Sequence, residues 1–124
     1  MNKNRPKFLA LHLIRLPVPA FVSILHRVSG LLIFLALPLL LWMLQSSLRS
    51  IVTYTELADL LRHPASKLFL LVMLWAFLHH LCAGIRYLVI DLDMGVKLGP
   101  ARASAKSALA ASLVLTALLG VRLW

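Results

Sequence analysis

Between Ser23 and Gly30 the chain reads Ser-Ile-Leu-His-Arg-Val-Ser-Gly. This puts a hydroxyl, an imidazole and a guanidinium within two helical turns, at the mouth of a long apolar run. Ser23 and Arg27 are four residues apart, so they share a helix face, and His26 borders that face. Gly30 opens space one turn deeper. Polar groups at the edge of a membrane span are costly and tend to mark function. A hydroxyl and a cation at the rim of an apolar slot suit a ligand with carbonyl oxygens and an apolar tail, and a quinone has that shape. The competing explanation is simpler: Arg27 anchors the helix among lipid headgroups and Ser23 bonds its own backbone.

A second constellation is His79-His80, followed by Gly84, Arg86 and Asp91. Both histidines lie well inside an apolar segment. Adjacent helical residues point about 100° apart, so the two cannot ligate one metal. The face holding His80 also carries Ala76, Ala83, Gly84 and Tyr87, small enough in the main for a flat macrocycle to lie against. The His79 face carries Trp75, Cys82 and Arg86 and is bulkier. An intramembrane His with small neighbours suits a haem axial ligand. It equally suits a neutral His hydrogen-bonded to a neighbouring helix.

The elements that must position these groups follow from composition. The chain has 124 residues, of which 61% are hydrophobic, too apolar for a soluble domain of this length. Three charge-poor stretches account for the excess: residues 28–48, 68–85 and 107–121. About 20 apolar residues cross the hydrocarbon core as a helix. The first stretch is long enough outright, and the second would rise about 27 Å. The third spans if its ends snorkel. The pattern predicts an all-α membrane protein with three transmembrane helices, at about residues 21–47, 65–91 and 101–123. They form one domain over 1–124, with residues 1–20 as a cytoplasmic arm. Within the arm, Leu9, Leu11, Leu13, Ile14 and Leu16 suit a headgroup layer or a soluble partner.

The net charge of +9 does not signal nucleic acid, because the charges flank the spans instead of forming a stripe. Lys3, Arg5, Lys7, Arg15, Arg27, Arg86, Lys97, Arg102 and Lys106 fall on one side. Arg49, Arg62, Lys67 and Arg122 fall on the other. The positive-inside rule makes the N-terminus and second loop cytoplasmic and the C-terminus periplasmic. Both constellations then occupy the cytoplasmic half of the bilayer. The basic Met1–Arg15 segment precedes a span of full length, which argues against a cleavable signal peptide and for a bacterial inner membrane.

Local signals refine the elements. Pro17 and Pro19 place the start of the first helix after Pro19. Pro38 predicts a kink or a local loss of backbone bonding within it. Thr55 with Leu57, Leu60 and Leu61 suggests a short interfacial helix that Pro64 ends. Asp91, Asp93, Gly95, Gly99 and Pro100 read as a turn. The third span is rich in Ala and Ser, which lets helix backbones approach closely. The lone Cys82 excludes an internal disulfide and a cysteine-held iron–sulfur cluster within the chain. No phosphate-cradling loop, nucleophile triad or paired catalytic carboxylate is visible. A channel is disfavoured because the polar residues cluster at one depth.

With these residues in view, the chain resembles the cytochrome b556 membrane-anchor subunits of succinate dehydrogenase. The resemblance rests on Arg5-Pro6, Ile14-Arg15-Leu16-Pro17, the Ser23–Gly30 segment, His80 with Gly84-Ile85-Arg86, Asp91, and the ending Gly120-Val121-Arg122-Leu123-Trp124. It covers nearly the full length. It implies a non-catalytic subunit that packs with a second three-helix anchor and docks an iron–sulfur subunit and a flavoprotein. FAD and the iron–sulfur clusters would sit on those partners, and electrons from succinate would reach ubiquinone. By motif position, Ser23 and Arg27 would bind quinone and His80 would be one axial ligand of a haem b shared with the partner anchor. His26 and Arg27 would lie near its propionates. Tyr87 stands where the family often has His, which puts a propionate-side contact in doubt. The alternative is a cofactor-free three-helix anchor of another membrane complex.

Overall fold

The computed structural model describes residues 16–123, and these form four helices. They are α1 (Val18–Arg49), α2 (Ile51–Arg62), α3 (Pro64–Asp91) and α4 (Leu98–Leu123). The apolar residues expected of the N-terminal arm lie outside the described residues, Leu16 excepted, and Leu16 is exposed. α1, α3 and α4 are each long and apolar enough to cross a membrane. α2 is the short helix expected between the first two spans.

Proline placement explains where the helices begin. α1 starts at Val18, earlier than expected, with extended Pro17 before it and Pro19 inside the first turn. The first turn has backbone N–H groups that need no helical partner, so a proline there costs nothing. The same reasoning holds for α4. It starts at Leu98 and takes Gly99 and Pro100 into its first turn, where a loop was expected. α3 likewise begins on Pro64, after an extended His63 whose ring accepts a hydrogen bond from Ala65 N. Pro38 removes one backbone donor, yet α1 continues through it as one helix to Arg49.

The turns are built from side-chain caps. Ser50 is extended and forms a capping box with Thr53, and Thr53 Oγ1 also donates to Ser46 O at 2.7 Å. This fastens α2 to the end of α1. Between α3 and α4, Asp93 and Gly95 adopt positive φ of 59° and 75°. Glycine takes that conformation freely and Asp tolerates it better than most residues.

The core is made of small side chains. Val22 of α1, Ala83 of α3 and Ala105 of α4 are fully buried together, with Val18, Tyr87 and Leu109 packed around them. α4 presents Ala105, Ala108, Ser112, Thr116 and Gly120 as its buried positions, one every three or four residues. That is a stripe of small residues along one face, which permits close helix approach in lipid. α3 sits between α1 and α4 and packs against both. Leu57 and Leu78 are also buried, whereas many other large apolar side chains are exposed, as suits helices that face lipid.

Candidate functional site

The crossing of α1 and α3 brings His26 and His80 face to face. Their ring centroids are 4.1 Å apart and the planes differ by 12°. His80 Nδ1 lies 3.0 Å from the His26 carbonyl oxygen and 3.4 Å from Ser29 Oγ. Ser29 is itself buried and donates to the same carbonyl at 2.9 Å. A carbonyl oxygen can only accept, so the proton belongs on His80 Nδ1. Nε2 then carries the lone pair. This is how metal-ligating histidines are commonly held, with one ring nitrogen donating to a carbonyl while the other faces the metal.

His79, next in the chain, has a different fate. It is fully buried, its Nδ1 lies 3.3 Å from Ser112 Oγ of α4, and Trp75 stacks on it at 5.3 Å. Its Nε2 has no partner, nor has Trp75 Nε1. Both histidines thus bridge helices, His79 to Ser112 of α4 and His80 to the His26 carbonyl of α1. His80, by contrast, is only half-buried.

The face around His80 is occupied differently from the expectation. Ala76 and Ala83 are fully buried, and Ala83 packs with Val22 and Ala105. A Cβ built on Gly84 would meet His26 Nε2 at 3.6 Å. Of the small residues expected to face a flat macrocycle, Ala83 instead packs against α1 and α4. Tyr87 is tilted against the His26 ring at 5.2 Å, and its buried hydroxyl has no partner. Arg86 is buried, donating from Nε to Ser104 Oγ at 3.0 Å and from Nη2 to Ala101 O at 3.2 Å. It ties α3 to the first turn of α4.

Ser23 is half-buried and Arg27 exposed, one turn apart on α1. Neither has a hydrogen bond to another described residue, so their polar groups are uncommitted among those residues. His26 and His80 are brought together, and Ser23 and Arg27 stay on the α1 side of that pair. No residue pattern marks Ser112 and Ser104 as the partners of His79 and Arg86. The sequence does contain a signal for the histidine contact. His26 and Gly30 are four apart on α1, and His80 and Gly84 are four apart on α3.

The described residues hold no cluster of three or more metal-ligating side chains. The site fits a haem-ligand histidine on its own chemistry, a tautomer set by a carbonyl on a residue that the bundle does not fully bury.

Residues 1–119 match the family described as succinate dehydrogenase/fumarate reductase transmembrane subunit. The chain is 38% identical to the succinate dehydrogenase cytochrome b556 subunit of Coxiella burnetii over 125 residues, covering 100% of both chains. It is 30% identical to the subunit of that name from Paracoccus denitrificans over 115 residues, 93% of this chain and 88% of the other. The Rickettsia felis subunit is 31% identical over 118 residues, covering 95% and 92%.

Proposed function

We propose, from the premise that this chain belongs to the succinate dehydrogenase/fumarate reductase transmembrane-subunit family, that it is a haem-binding anchor that helps build a quinone-reduction site. It is a non-catalytic, multi-pass subunit of a bacterial inner membrane, and the dicarboxylate chemistry belongs to another chain. The observation that carries the haem reading is the hydrogen bond from His80 Nδ1 to the His26 carbonyl. It leaves the Nε2 lone pair free to ligate.

His80 would hold a haem b, with a second anchor subunit giving the other ligand. His26 and Arg27 would stand near the propionates, where a cation and a hydrogen-bond donor favour two carboxylates. The bound haem supplies reversible one-electron chemistry. The protein's own work is to fix the His80 ring and to exclude water around it. Burial of the neighbouring small residues supports that role.

Ser23 and Arg27 would bind the quinone headgroup. They lie one turn apart, about 6 Å along the helix. The Arg27 guanidinium and Ser23 hydroxyl can both donate to a carbonyl oxygen, and negative charge building on that oxygen strengthens both bonds. The hydroxyl can also help deliver a proton. Ubiquinone suits this slot, its polyprenyl tail lying along the apolar stretch from Val28 onward.

The excess of Lys and Arg on the side of the N-terminus and the α3–α4 loop supports a cytoplasmic position for both. The iron–sulfur and flavoprotein subunits would dock on that side. The test separates the two halves of the reading. Ser23→Ala and Arg27→Leu should slow succinate-driven quinone reduction, by roughly ten- to a hundredfold for one lost charged hydrogen bond. Electron transfer to a soluble artificial acceptor should be spared. Unchanged quinone kinetics in both variants would rule out the assignment.

A further inference from the structure

His26 precedes Gly30 by four residues on α1, and His80 precedes Gly84 by four on α3. Where the two helices cross, each glycine lies against the other helix's histidine. The two contacts are unequal. A Cβ at Gly30 would fall 2.8 Å from His80 Cε1, closer than real Cβ atoms approach, and a tight 3.2 Å from Nδ1. A Cβ at Gly84 would fall 3.6 Å from His26 Nε2, an ordinary contact. Glycine weakens a helix interior relative to alanine. Gly84 has room for a methyl group and Gly30 has none.

The His80 ring has little freedom to yield. The His26 ring stacks on it, and its Nδ1 is bound to the His26 carbonyl and lies near Ser29 Oγ. Moving the ring away from a new methyl at position 30 would break that hydrogen bond, the stack, or both. Gly30 lies in mid-helix without a positive φ, so its value is the space it leaves and not a special backbone conformation.

We propose that Gly30 is a positioning residue for His80: its missing side chain lets the imidazole rest against α1 with Nδ1 on the His26 carbonyl, which commits Nε2 to ligation. The inference rests on His80 as the haem ligand. Ligation strength and iron spin state depend on ring placement and on the bond at the far nitrogen. A methyl at position 30 therefore acts on the haem without touching it.

The experiment compares Gly30→Ala, Gly84→Ala and His80→Ala in the intact complex in membranes. Haem content, the low-spin electron paramagnetic resonance signal and the haem midpoint potential are measured. Gly30→Ala should lose most of the low-spin signal or shift its midpoint, while Gly84→Ala should match the parent. If Gly30→Ala keeps the parent haem content, signal and midpoint while His80→Ala loses haem, the positioning role is wrong and the ligand assignment stands. If His80→Ala keeps its haem, the ligand assignment itself fails and takes the inference with it. Equal changes in Gly30→Ala and Gly84→Ala would also overturn it, since only one site is overfilled. Should Gly30→Ala fail to accumulate, the double variant Gly30→Ala with His80→Ala is quantified by subunit level. Recovery to the level of His80→Ala alone supports a clash with the His80 ring, and no recovery overturns it.

Discussion

His79 and His80 are neighbours in the chain, yet a rotation of about 100° sends one into the bundle and leaves the other at its surface. His79 is spent on Ser112, whose hydroxyl also donates to Leu109 O at 2.8 Å. Ser112→Ala should therefore cost about 0.5–1.5 kcal/mol, the usual worth of one such bond. It should lower the melting temperature of the solubilised complex while leaving its haem spectrum intact. Tyr87 gives the opposite case. Its hydroxyl is buried without a partner among the described residues, so Tyr87→Phe removes an unmet desolvation cost. The amount of assembled complex in Tyr87→Phe membranes should equal or exceed that of the parent. A drop would mean that a group outside this chain takes that proton, at the position where the family often has His. His26 and His80, which meet at the α1–α3 crossing, stood out in the residues by type, and the 100° argument already meant that His79 and His80 cannot ligate one metal. What could not be read was which partner each would find. Ser112 and Ser104 look like ordinary small residues of a polar-dotted helix, and only the α3–α4 register aligns them with His79 and Arg86.

At the scale of elements, close packing depends on residues that are small. Ala105 is fully buried against Val22 and Ala83 at the junction of α1, α3 and α4. Ala105→Leu adds three carbons where there is no volume and should destabilise by about 1–3 kcal/mol. Loss of haem on heating would then occur at a lower temperature. Gly120 looks similar, since its Cβ would meet Leu71 Cδ1 at 2.8 Å, but that atom is the end of a flexible side chain. Gly120→Ala should be tolerated, with haem retention on heating close to that of the parent. The helices themselves were predictable from length and hydropathy, because lipid requires each span to satisfy its own backbone. Their boundaries were less so, and the errors share one cause. The expected helix starts fall just after Pro19 and Pro100, but both prolines sit in first turns, where a missing N–H is free. The short helix after Arg49 was visible from its leucine spacing. The device that sets its direction, Thr53 Oγ1 donating to Ser46 O, was not.

For the whole molecule, charge asymmetry and the histidine pair lead to one arrangement. The helix crossing that joins His26 to His80 requires the start of α1 and the second half of α3 to lie at similar depth. The positive-inside rule predicts the cytoplasmic half for both. Topology can be read directly by replacing Cys82, the only cysteine, with Ala and adding single reporters. An impermeant maleimide should label Glu56→Cys in intact spheroplasts and Val96→Cys only after the membrane is broken. The reverse pattern would invert the anchor and move the proposed quinone slot to the wrong side for its electron donor. The central claim, however, is the division of labour between the two histidines, and a reduced-minus-oxidised optical spectrum of the membrane-bound complex tests it most directly. The b-type bands should disappear in His80→Ala and persist in His79→Ala. Bands that persist in His80→Ala and vanish in His79→Ala would contradict the account.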